Sequence, residues 1–137
     1  MRSYINKRES VPRFVEKMAA RHPELRQPVS FDTMVRIAQR DRVVVRVVEL
    51  PRAQKGRTIA IGHRVFIRIN RAMSRAEQTT AGMHELCHVW RDGLRSSPYY
   101  SDEMTGGASC EFADIFAWYV TSPARPFYDP KSLQLEL

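Results

Sequence analysis

From Val11 to His22, apolar residues recur at three- and four-residue spacing: Val11, Phe14, Val15, Met18 and Ala19. That is the period of a helix with one buried face. Pro23 and Pro28 interrupt it and mark a connector. Ser30 or Asp32 can cap a second helix running to about Arg40, with Phe31, Met34, Val35, Ile37 and Ala38 on its apolar side. The pattern then changes. Residues 43–50 are short, β-branched and almost continuously apolar, which predicts a largely buried strand ended by Pro51. Residues 58–61 and 65–69 predict a hairpin turning around Gly62, His63 and Arg64.

Helical spacing returns at Ser74. Ser74 with Glu77 three residues on is a capping-box pattern. Ala76, Thr80, Met83, Cys87 and Trp90 then form one stripe, and Asp92-Gly93 closes the helix. Leu94 to Gly107 predicts a loop with two adjacent tyrosines, Tyr99 and Tyr100. A last helix is expected from about Ala108 to Val120, with Phe112, Ala113, Phe116, Tyr119 and Val120 as its apolar face. Pro123 and Pro126 end it, and the tail from Phe127 has no clear period. The order predicts an α+β domain, with a small three-stranded antiparallel sheet packed on helices and the Ser74 helix at its centre.

At 137 residues the chain is read as one domain spanning 1–137. No apolar run approaches a transmembrane helix, and the charged N-terminus has no apolar segment behind it. The expected compartment is therefore cytoplasmic, with no membrane partner. Two cysteines, Cys87 and Cys110, are too few for a disulfide framework and read as buried free thiols. The net charge of +7 is unevenly spread. Residues 1–75 hold 18 Lys and Arg against 6 Asp and Glu, net +12, while residues 76–137 hold 4 against 9, net −5. A basic half attracts nucleic acid or acidic proteins. Here the basic residues are scattered among apolar ones, and direct nucleic-acid binding is not the favoured expectation.

The chemistry concentrates at His84-Glu85-Leu86-Cys87-His88. Residues four apart on a helix share a face, so two imidazoles in H-E-x-x-H can reach one Zn²⁺. Glu85 follows the first histidine, where its carboxylate can act as general base on a water. A catalytic zinc takes three protein ligands and keeps one open position. Asp102, Glu103, Cys110, Glu111 and Asp114 are the downstream candidates for the third. Glu111 is preferred as an acid within an otherwise apolar helix, where a charge needs a partner. Asp114 can instead accept a hydrogen bond from a ligating imidazole and fix its tautomer. Asp114 and Cys110 remain the alternatives to Glu111. Tyr99, Tyr100 and His63 are candidates for an oxyanion donor, and His63 reads better as a turn residue.

Across roughly residues 31–123 the chain resembles the ImmA/IrrE-type zinc metallopeptidases, a gluzincin-like group of bacteria and their mobile elements. The resemblance rests on ordered motifs. Val43 to Leu50 is β-rich, Ile67-Arg68-Ile69-Asn70 precedes the motif helix, and Thr79 and Thr80 precede His84-Glu85-Leu86-Cys87-His88. Glu111, Ala113-Asp114, Phe116-Ala117 and Pro123 follow. The chain departs from the family pattern at Cys87, where glycine is usual, and in the spacing of Glu111 from Ala113. The resemblance implies His84, His88 and Glu111 as ligands of one zinc per chain, and Glu85 as catalytic base. It also implies an endopeptidase that cleaves a regulatory protein such as a DNA-binding repressor, in stress response or mobile-element regulation. The competing expectation is a catalytically inactive zinc-binding protein, acting on protein or nucleic acid through its basic N-terminal half.

Overall fold

The computed structural model describes residues 10–93, 100–101 and 107–123, with no side-chain description for 100–101 and 107–110. The elements in chain order are α1 (Val11–Ala19), a 3₁₀ turn (Pro23–Arg26), α2 (Phe31–Arg40), β1 (Val43–Val48), β2 (Gly56–Ile61), β3 (Arg64–Asn70), α3 (Arg75–Asp92), β4 (Tyr100–Ser101) and α4 (Gly107–Thr121). The domain is α+β, as the order of periodicities implied. Leu94–Tyr99, Asp102–Gly106 and the tail from Ala124, on which parts of the loop and tail readings fell, lie outside the described residues.

The helix starts follow from local chemistry. The Ser10 hydroxyl accepts from Arg13 N–H, and the Ser30 hydroxyl accepts from Thr33 N–H. Ser74 and Glu77 complete a reciprocal capping box. Hydrogen bonds from the Ser74 backbone and hydroxyl hold the Glu77 carboxyl below its ordinary range. Gly93, at φ +64, ends α3 in the left-handed conformation that glycine adopts without a Cβ clash.

The sheet order is β1-β3-β2-β4. β2 and β3 form the expected antiparallel hairpin across the two-residue turn Gly62-His63. The expectation of a purely antiparallel sheet needs correction at β1, which pairs parallel to β3 from Val43↔Val65 to Val48↔Asn70. The chain therefore passes beyond β3's place before β2 begins. The physical reason is burial: Val65, Ile67 and Ile69 are all fully buried, so β3 takes the central position. β1 consequently lies at an edge and is only half-buried beyond Val43, against the expectation of a largely buried strand. β4 adds a short fourth strand on the far side of β2.

α3 is the centre of the molecule, packed against β2 and β3 on one side and against α2 and α4 elsewhere. Its expected single stripe is too narrow. From Gln78 to Val89 every residue except Thr80 is buried, and Ala76 is exposed. Helix periodicity under-reports burial when partners cover several sides. The approach to α2 is close at Gly82, where an added Cβ would stand 2.7 Å from the Met34 sulfur. Phe14 packs edge-on against Phe112 and Phe116, joining α1 to α4.

A polar knot ties α1, α2 and the end of α3 together. Buried His22 stacks on Trp90 with ring centroids 5.2 Å apart. Asp41 lies 2.9 Å from His22 Nε2 and accepts from Trp90 Nε1 at 2.8 Å. Burial pushes the Asp41 carboxyl up, but hydrogen bonds from Arg21, His22 and Trp90 outweigh it and hold the group below its usual range.

Candidate metal centre

Both motif histidines are buried in α3, at 4% exposure for His84 and 1% for His88. Their Nε2 atoms converge to 3.2 Å. Each ring's other nitrogen meets a carboxylate. His88 Nδ1 lies 2.7 Å from Asp92 Oδ2, and His84 Nδ1 lies 2.8 Å from Asp114 Oδ1. An ionised carboxylate only accepts, so each Nδ1 carries a proton and the two Nε2 atoms are left facing each other. Two lone pairs facing at this distance repel unless a positive species sits between them. A shared proton or a shared cation satisfies the pair.

The two imidazole nitrogens are spaced as two ligands of one metal ion would be. Two nitrogens bound to one tetrahedral zinc at about 2.0–2.1 Å stand about 3.3–3.4 Å apart. The observed separation needs almost no adjustment. Carboxylates on the distal nitrogens are the usual means of orienting such ligands.

The remaining candidates are placed differently from one another. Asp114 is where an imidazole partner was expected, although its side chain is 74% exposed. Because it engages Nδ1, it stands on the opposite side of the His84 ring from the converging nitrogens. Glu111 is exposed one turn earlier on α4. Among the described residues, no three His, Cys, Asp or Glu side chains gather as donors to one ion. Asp102, Glu103 and the side chain of Cys110 lie outside the described residues. Cys87 is buried within α3.

Two partners escaped sequence reasoning. Asp92 was read only as the end of the helix. Its signal was present, since Asp92 continues the four-residue step that links His84 to His88. The second is Thr58, whose hydroxyl donates to Glu85 Oε1 at 2.5 Å. Thr58 and Glu85 are both buried, at 1% and 0% exposure. Thr58 is the hydrogen-bonding side chain among the inward positions of β2, between Gly56 and Ala60. That signal becomes visible only once the strand's inner face is known.

A cleft of about 260 Å³ opens beside His84. Met73, Ala76, Thr80 and Ala81 supply much of its wall, and His84 and Asp114 also line it. His63 belongs elsewhere. It is exposed in the β2–β3 turn and lines a separate cavity that neither motif histidine reaches. The side chains of Tyr99 and Tyr100, the other candidate oxyanion donors, lie outside the described residues.

Compared with family models, curated proteins and solved structures, the chain matches none. Among the described residues, no helix is long and apolar enough to cross a membrane.

Proposed function

We propose that the chain is a zinc-dependent endopeptidase of the ImmA/IrrE type, acting on a regulatory protein. The observation that carries this reading is the convergence of His84 and His88 Nε2 at 3.2 Å, with both distal nitrogens held by carboxylates. That orientation supports a cation shared between the two rings.

His84 and His88 would hold the ion, with Glu111 proposed as the third donor. A zinc ion supplies Lewis acidity, drawing the pKa of water at the site toward about 7. Glu85 takes the proton from the attacking water and returns it to the departing amine. Thr58 fixes one carboxylate oxygen of Glu85, which limits rotation of the base. Burial of Glu85 removes competing solvent and strengthens its interaction with positive charge. The cleft beside His84 offers room for a substrate side chain, with an apolar wall at Met73, Ala76 and Ala81.

The test compares zinc-loaded wild type with Glu85→Gln on a proteome-derived peptide library, reading new N-termini by mass spectrometry. Cleavages present with wild type and missing with a Glu85→Gln protein that still holds zinc support the proposal. Equal cleavage by both removes Glu85 from the mechanism, and no cleavage by either overturns the peptidase reading.

A further inference from the structure

The scattered arginines of the basic half become ordered once the strands are paired. Inward positions of the sheet are Val43, Val65 and Ile67 with Thr58 and Ala60, all buried. Alternate residues therefore point to the other face. There the register aligns Arg46, Arg68 and Arg57 across β1, β3 and β2. One step along, it aligns Val44, Phe66 and Ile59, and beyond them Arg64 stands opposite Ile61. Arg46, Arg64 and Arg68 are exposed, Phe66 is half-buried, and Ile61 is 62% exposed. The three strands contain no Asp or Glu. Arg46, Arg64 and Arg68 make no ion pair with any described residue.

A second observation adjoins this face. A cavity of about 410 Å³ lies at the sheet's edge, lined by Val35 and Gln39 of α2, by Arg42 and residues 43–45, and by His63 and Arg64, and it meets the outer face at Val44 and Arg64. Arg42 holds φ +63, the one non-glycine residue with positive φ among those described. That left-handed conformation is strained for an arginine and easy for glycine. A strained arginine lining this cavity points to use of its side chain.

We infer that the outer face of the sheet, with the adjoining cavity, binds single-stranded nucleic acid. Rows of guanidinium groups alternate with a row centred on an aromatic ring, at about 6.6 Å per pair of residues along a strand. An extended single strand presents the matching alternation of phosphates and unstacked bases. Arginines take the phosphates, while Phe66 and the cavity offer bases an aromatic platform and a recess. A duplex fits less well, because its major groove admits a helix or a two-stranded ribbon and this face is wider than two strands. The inference stands apart from the metal site, and neither depends on the other.

The test is fluorescence anisotropy with labelled twenty-nucleotide oligo-dT and oligo-rU, a duplex of the same length, and full-length protein over a salt series. Wild type should bind at least one of the single strands more tightly than duplex. Arg46→Gln/Arg68→Gln should lower that affinity at least tenfold and reduce the slope of log K against log salt by about 1.4, two contacts at ~0.7 each. Phe66→Leu should weaken binding with the salt slope unchanged, as loss of stacking does. Far-UV circular dichroism matching wild type shows that the variants fold. No binding at low salt, equal binding of duplex, or unchanged affinity in the folded double variant overturns the inference. Capture by phosphatidylserine vesicles or polyglutamate without oligonucleotide binding also overturns it, in favour of a lipid surface or an acidic protein.

Discussion

At the scale of single residues, the site is defined by which ring nitrogen each carboxylate takes. Asp92 and Asp114 both occupy Nδ1 and so leave Nε2 of His88 and His84 as donors. Their environments differ. The Asp92 side chain is 30% exposed and that of Asp114 is 74% exposed, so the Asp92 hydrogen bond is the better shielded from water. Asp92→Ala should therefore weaken zinc binding by about 10–100-fold. Asp114→Ala should weaken it less. Competition with a chromophoric chelator measures both, and equal affinities in wild type and Asp92→Ala would remove the orienting role. For Glu85→Gln the expectation is different: the ion is retained and catalysis is lost, because the amide keeps the shape of the base but cannot accept the proton.

At the scale of elements, caps and periodicity carried most of the information. The Ser74 capping box was legible because it is a local contract between a hydroxyl and a backbone three residues on. Ser74→Ala should cost about 1 kcal/mol, or about 3–5 °C in melting temperature. A melting temperature unchanged by the substitution would mean that packing alone sets the start of α3. The hairpin and the four helices among the described residues were legible for the same local reason. What was not legible depended on partners distant in sequence. The parallel pairing of β1 with β3 follows from competition among three strands for the central position. The near-complete burial of α3 follows from cover on several sides. Within the candidate site, His84, Glu85 and His88 were readable from spacing, and Asp114 from its place on the last helix. Thr58 was hidden because its role requires knowing that β2 lies under α3. Glu111 was chosen for being acidic in an apolar helix, yet it occupies an exposed position, with the apolar neighbours Ile115 and Trp118 also exposed at 51% and 54%.

At the scale of the whole molecule, charge does two kinds of work. Arg40 clamps Glu24 through two hydrogen bonds and holds its carboxyl down to about 2 from an ordinary 4.5. Asp41 is held low as well. A carboxyl depressed in the folded state binds its proton less readily than in the unfolded chain. Its contribution to stability is present above the unfolded pKa and is lost as pH falls through the folded one. Urea midpoints should therefore fall between pH 5 and pH 2, and the fall should be smaller in Arg40→Met. Parallel declines in the two proteins would exclude this clamp as the source. Away from that knot, the arginines of the sheet are turned outward on the face opposite α3, so the basic surface and the buried histidine pair occupy different sides of one domain. The central claim concerns the histidine pair, and elemental mass spectrometry on untagged wild type, His88→Ala, Glu111→Ala and Cys110→Ala tests it most directly. About one zinc per chain in wild type, lost with His88→Ala and Glu111→Ala but kept with Cys110→Ala, is the result this account predicts. Wild type devoid of zinc even after reconstitution, or His88→Ala retaining it in full, would contradict it.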